Sequence, residues 1–240
     1  MYHNVGWEPN DRGTITPEEL AAQWRTLVSL GFRNVTMAWV REAVLGERPL
    51  QGRNCAITFD DGRSGVVEQG LGILQEFGWT ATVYLVPGFL GQTRHFSYAK
   101  VPPTWIAERE FETSTAVRAR YMRETDVAQW LEHGHSIGSH TMSHQHLPGL
   151  SPEQLGTEIE PAARSVERLA GNVPGSTDFA YPYGEYNLDV AGVVAGEHRS
   201  AVTTVQGAVR ADGRVFEISR FDPGRRRDEL VRRLYGLRLL

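Results

Sequence analysis

The chain has 240 residues, enough for one α/β domain spanning 1–240, and no linker divides it. Hydrophobic residues make up 40% and charged residues 22%, the balance of a globular protein with a real core. A net charge of −4 supplies no electrostatic footprint for nucleic acid, and the single cysteine, Cys55, excludes an intrachain disulfide and a multi-cysteine metal site.

No stretch is long and apolar enough to cross a bilayer. The opening residues, MYHNVGWEPND, hold neither a basic segment nor an apolar run, so no signal peptide is visible. That favours the cytoplasm, with the envelope or exterior as the alternative if a leader has been removed. Nothing in the sequence sets an oligomeric state.

The predicted elements alternate between strand and helix. Thr16-Pro17-Glu18-Glu19 is a capping box with proline in the first turn, and Leu20, Trp24, Leu27 and Val28 follow at helical spacing up to Gly31. A short strand is expected at Val35–Met37 and a buried one at Cys55–Phe59, where Cys55 reads as a small buried hydrophobe. A helix over Ser64–Phe77 stops at Gly78, and the β-branched and aromatic run Thr80–Val86 is a strand. Gly88–Arg120 is expected to hold a loop and one irregular helix that shape a groove, with Phe89, Phe96, Tyr98 and Trp105 available for sugar stacking or for the core. A helix face at Val127, Trp130 and Leu131 ends at Gly134, and Ser136–Ser139 is a strand. Ser151-Pro152-Glu153-Gln154 caps a helix that Pro161 is expected to kink or interrupt. Strands follow at Thr177–Tyr181, Ser200–Thr204 and Val215–Ser219, with helices after Asn187 and from about Asp228. The alternation predicts an α/β fold: a single-domain, distorted (β/α) barrel of seven or eight strands, with a doubly wound open sheet as the alternative. Both put chemistry at the C-terminal strand ends.

Three predicted strand ends carry polar residues. Thr58-Phe59-Asp60-Asp61-Gly62 places two carboxylates directly after an apolar strand, so that one can bind a cation while the other handles a proton; Asp-Gly is also a common exposed turn. His140-Thr141-Met142-Ser143-His144 offers two histidines four apart, which can converge on a metal from a helix face or a turn. Five of the eight histidines cluster here; His133 and His135 read as helix-end residues favoured by the dipole, and His146 as a weaker further ligand candidate. Phe179-Ala180-Tyr181-Pro182-Tyr183-Gly184 ends a strand in a sharp turn that can aim a backbone N–H at an oxyanion. One carboxylate with two histidines makes an open three-ligand site, and the second carboxylate supplies a base.

TFDDG, SHTMSH and FAYPYG, in this order, resemble the polysaccharide deacetylase family, the NodB-homology carbohydrate esterases, over about Cys55–Thr204. The resemblance implies a distorted (β/α) barrel and a metal-dependent deacetylase of N-acetylated sugars. It implies Asp60 as catalytic base, Asp61, His140 and His144 as ligands of a divalent metal (zinc by default, cobalt or nickel with the same ligands), and the Tyr183 amide in an oxyanion hole. The chain departs from the family in two places: Ala180 and Tyr181 stand where an arginine usually precedes the Pro-Tyr pair, and no histidine follows His198 to supply the late general acid. Tyr2-His3-Asn4 resembles the permuted subgroup of poly-N-acetylglucosamine deacetylases, in which an N-terminal Tyr-His takes that place; this implies His3 as the acid. Arg220, after the last apolar run, is a candidate to replace the missing arginine by pairing with Asp60, whereas Arg225-Arg226-Arg227 reads as a solvated helix start. Three functions stay open: a deacetylase of N-acetylglucosamine glycans, the same chemistry on a small N-acetylated intermediate, and a carbohydrate-binding protein without catalysis.

Overall fold

The computed structural model describes residues 1–8, 11–97, 104–106, 117–171 and 178–236. Strand β1 (Asn4–Val5) pairs in parallel with β2 (Thr14–Ile15). Helix α1 (Pro17–Ser29) begins where the sequence signature puts it, with Thr16 accepting from the Glu19 amide. Strand β3 (Phe32–Asn34), helix α2 (Met37–Val44) and strand β4 (Arg53–Cys55) follow, β3 pairing with β4. The strand expected at Val35–Met37 is therefore misplaced. Thr36, a good strand former, instead spends its hydroxyl capping α2 through the Trp39 amide.

Strand β5 (Ile57–Phe59) leads through a π-helical turn (Val66–Gly70) into α3 (Leu71–Phe77) and then β6 (Ala81–Leu85). The next stretch differs from expectation. Strands β7 (Thr93–Ser97), β8 (Thr104–Ile106) and β9 (Val117–Arg120) form an antiparallel sheet in the order β8-β7-β9. Its signal is a period of two in β9, where Val117 and Ala119 are buried and Arg118 and Arg120 exposed. Phe89 and Phe96 pack there with Val86 and Tyr121; Tyr98 and the Trp105 side chain lie outside the described residues.

Helix α4 (Glu124–Glu132), strand β10 (Ser136–Ser139) and helix α5 (Pro152–Ala170) come next. Helix α5 runs through Pro161 without interruption, and the Glu158 carbonyl one turn earlier accepts the Met142 amide. Strand β11 (Asp178–Ala180), helix α6 (Leu188–Glu197), strands β12 (Ser200–Gln206) and β13 (Ile218–Arg220), and helix α7 (Arg227–Gly236) complete the order. Arg225, Arg226 and Arg227 are exposed at the start of α7.

The main sheet has the order β5-β6-β10-β11-β12-β13, every neighbouring pair parallel. The chain thus crosses the sheet in one direction, where a doubly wound sheet would reverse. The result is a curled half-barrel with helices around it, built on six strands rather than seven or eight among the described residues. At the seam, Tyr2 bridges Phe59 in parallel: its amide donates to Thr58 O at 2.8 Å and its carbonyl accepts from the Asp60 amide at 2.9 Å. The Met1 nitrogen reaches Phe221 O at 2.8 Å, so the N-terminal segment fills the gap between β5 and the end of β13. A side chain at Gly65 would overlap the Val5 carbonyl, which makes glycine necessary for this segment to dock. Tyr2, Trp24, Phe59, Leu74 and Trp130 bury their side chains in one core cluster, each contributing about 1.5–3 kcal/mol. No helix among the described residues is long and apolar enough to cross a membrane.

Candidate active site

Asp60 and Asp61 follow β5, His140 follows β10, Tyr183 follows β11 and Arg220 ends β13, so the polar residues gather at the C-terminal rim of the sheet. His3 joins them because Tyr2 is in register with Phe59, which leaves His3 at the level of Asp60. Asp60, Asp61, His140, His144, Tyr183 and His3 all line one cavity of about 350 Å³.

The donor atoms that Asp61, His140 and His144 could offer a metal lie within 4.8 Å of one another. Asp61 Oδ1 is 3.6 Å from His140 Nε2 and 3.4 Å from His144 Nε2. Two donors on a tetrahedral zinc-like ion with bonds of about 2.0–2.1 Å stand roughly 3.3–3.4 Å apart, close to the two Asp61–histidine separations. The tautomer fits as well. His140 Nδ1 lies 2.7 Å from the Ala180 carbonyl, which only accepts, so Nδ1 carries the hydrogen and Nε2 presents its lone pair towards Asp61. Burial, ahead of the neighbouring His140 ring, lowers the His144 imidazole to about 4, which favours the neutral form that a metal ligand needs.

The backbone is strained where these side chains are presented. Asp61 (φ 73°), Thr141 (φ 64°), His144 (φ 61°) and Tyr183 (φ 59°) are the non-glycine residues at positive φ among the described residues, and all four belong to this rim. Each such position costs on the order of 1–3 kcal/mol, so the surroundings must over-determine it. For Asp61 they do so by pairing its loop with the end of β9: Ser64 N donates to Arg120 O and Met122 N to Gly62 O, both at 2.9 Å. For the histidine loop, Glu158 of α5 accepts from Ser143 N at 2.9 Å and from Ser143 Oγ at 2.5 Å, while Thr141 Oγ1 accepts from His144 N at 2.9 Å. The histidine pair therefore converges from a turn rather than from a helix face.

Asp60 is buried and gripped by Arg220, whose Nη1 and Nη2 donate to the two carboxylate oxygens at 2.6 and 2.7 Å. Burial alone would raise the Asp60 carboxyl. The Arg220 charge and its two hydrogen bonds outweigh that and hold it well below the usual carboxylate range. Arg220 is itself fixed by donating Nε to Thr203 O at 2.8 Å. His3 lines the same cavity as Asp60 and His144.

Other residues stand differently from their sequence reading. His146 does not join the ligand cluster: it pairs with Glu185 at 2.8 Å and stacks on Tyr183. His135 is no dipole-stabilised cation. It is buried against Trp130 with neither ring nitrogen hydrogen-bonded, and burial lowers it to about 4. Cys55 is half-buried, and burial pushes its thiol up to about 12, which leaves it inert. Sequence reasoning missed Glu158 and the buried Arg63–Asp11 pair (3.0 Å), which lines the cavity beside Phe96 and Tyr121. The position of Arg63 directly after Asp-Asp-Gly was the available hint.

A family described as polysaccharide deacetylase matches residues 47–196. The polysaccharide deacetylase homologue YxkH of Bacillus subtilis is 23% identical over 223 residues, 92% of this chain and 68% of that protein. The poly-β-1,6-N-acetyl-D-glucosamine N-deacetylase of Escherichia coli K12 is 34% identical over 82 residues, 33% of this chain but only 12% of that enzyme. Among solved structures, the Streptococcus pyogenes deacetylase PplD, determined with acetate, superposes with a TM-score of 0.75 at 19% identity, covering 97% of this chain and 95% of its own. IcaB from Ammonifex degensii gives 0.74 at 20% identity, covering 92% of this chain and 88% of its own. At those identities the likeness is one of fold, a NodB-like (β/α) barrel, whereas the family match extends over more than half of the sequence. The chain belongs to the polysaccharide deacetylase family.

Proposed function

We propose that this protein hydrolyses the N-acetyl group of an amino sugar in an N-acetylglucosamine-containing glycan, releasing acetate and a free amine. The observation that carries the proposal is the juxtaposition at one rim of an Asp61–His140–His144 cluster, closed to within 4.8 Å, and a second carboxylate, Asp60, held ionised by Arg220. Asp61, His140 and His144 would hold a divalent cation, zinc by the chemistry of the donors with cobalt or nickel as substitutes, which when bound supplies Lewis-acid polarisation of the acetyl carbonyl and of water.

The chain's own residues do the rest. Asp60 takes a proton from the attacking water as its oxygen bonds to the carbonyl carbon. Pairing with Arg220 lowers the basicity of Asp60, and in return keeps it ionised and its oxygens oriented. The Tyr183 amide, presented by the left-handed turn after β11, donates to the developing oxyanion. His3 then gives a proton to the nitrogen as the C–N bond breaks, so that a neutral amine leaves. The relatives named for poly-N-acetylglucosamine deacetylation support the choice of sugar. A panel of N-acetylglucosamine oligomers and N-acetyl monosaccharides tests it, with acetate as the readout. Release from oligomers supports the glycan, and release from monomers alone moves the proposal to a small intermediate.

A further inference from the structure

His146 sits two residues past His144, yet it lies outside the candidate ligand cluster. Its ring lies 3.9 Å from that of Tyr183 with an interplanar angle of 6°, a parallel stack. Its Nδ1 is 2.8 Å from Glu185 Oε2, and since a carboxylate only accepts, His146 donates. Glu185 follows the turn that carries Tyr183 and Gly184, so the His146 loop grips that turn on both sides, at the ring and at the carboxylate. The other face of the arrangement is the site: the Tyr183 ring meets His144 edge to face at 4.7 Å.

The exposed His146–Glu185 contact contributes little to global stability on its own, as polar pairs in contact with solvent generally do. Its location gives it another use. Tyr183 and His144 both hold positive φ, a conformation that persists only where contacts enforce it. Thr204 Oγ1 donates to the Tyr183 carbonyl at 3.2 Å, and among the described residues the ring contacts of Tyr183 are with the two histidines.

We infer that His146 and Glu185 are positioning residues: a clamp that holds the Tyr183 turn against the histidine loop, so that the Tyr183 amide and His144 keep a fixed relation. This deepens the deacetylase reading and rests on it for the catalytic consequence, but the clamp itself is a statement about the turn. The test pairs hydrogen exchange of residues 181–186, measured without substrate, with kcat and KM for acetate release, in His146→Ala, His146→Phe and Glu185→Gln. With the clamp, His146→Ala speeds exchange in the turn and lowers kcat about tenfold with KM within about twofold, as expected for a small misplacement of a catalytic donor. His146→Phe, which keeps the stack, and Glu185→Gln, which keeps an acceptor, recover part of both effects. Bound metal stays at the wild-type level in all three. Unchanged exchange overturns the clamp, and so does a rise in KM alone, which would make His146 a substrate contact. If the parent protein releases no acetate from any substrate, the exchange result still decides on the clamp while the proposed function fails.

Discussion

Arg220 and Asp60, 160 residues apart, meet through two N–H···O bonds of 2.6 and 2.7 Å and close the seam of the barrel at the site. The pair sets both the charge state and the orientation of the carboxylate proposed as base. Removing one partner of a buried pair leaves the other charge uncompensated, at a cost of about 3–5 kcal/mol. Arg220→Gln should therefore lower thermal stability. It should also move the acid limb of the pH–rate profile upward, because Asp60 loses the group that holds its pKa down. An acid limb that stays in place would mean that Asp60 is not the titrating base.

The general acid has a sharper test in the leaving group. An amine must be protonated to leave, whereas a nitrophenolate need not be. His3→Ala should lose about 10²- to 10⁴-fold in kcat on an N-acetyl sugar, the usual worth of a general acid, and far less on 4-nitrophenyl acetate. Equal losses on both substrates would assign His3 a structural role at the seam.

Metal binding separates the two neighbouring aspartates. Asp61→Asn and His144→Ala should bind zinc or cobalt weakly by equilibrium dialysis, while Asp60→Asn should keep the metal and lose most activity. Full activity in Asp60→Asn would remove it from the mechanism.

His135 gives a stability prediction. Its folded pKa is about 4, below the 6.5 of an unperturbed histidine, so below 6.5 the unfolded chain takes up a proton that the folded one refuses. Stability is thus lost as the pH falls from 6.5 towards 4, by roughly 1–2 kcal/mol at pH 5. His135→Phe should flatten that part of the curve in urea melts at pH 7 and pH 5. Parallel losses in both proteins would show that other groups cause it.

These tests rest on residues of unequal legibility in the sequence. Asp60, Asp61, His140 and His144 stand in short motifs at strand ends, where the alternation of strand and helix directs attention; Arg220 stands alone after an apolar run. Helix starts at Thr16, Ser151 and Asn187 were readable because a cap is a local bond within one turn. The β7–β9 sheet was not, since its local signal is no more than the four-residue alternation in β9 and its pairing joins separate segments, and a three-residue strand such as β3 has too few positions to show a period. The burial of His135 and the Arg63–Asp11 pair depend on which elements pack together, which a single sequence does not display. The role of Tyr2 as a bridge to β5 belongs to the same class.

The most direct test of the central claim is acetate release from N-acetylglucosamine oligomers by protein stripped of metal and then supplied with zinc or cobalt. The mechanism predicts no release from the stripped protein and its recovery with the metal, with His140→Ala failing to recover. Release that is indifferent to chelation, or its absence from every oligomer and monomer while metal is bound, would contradict it.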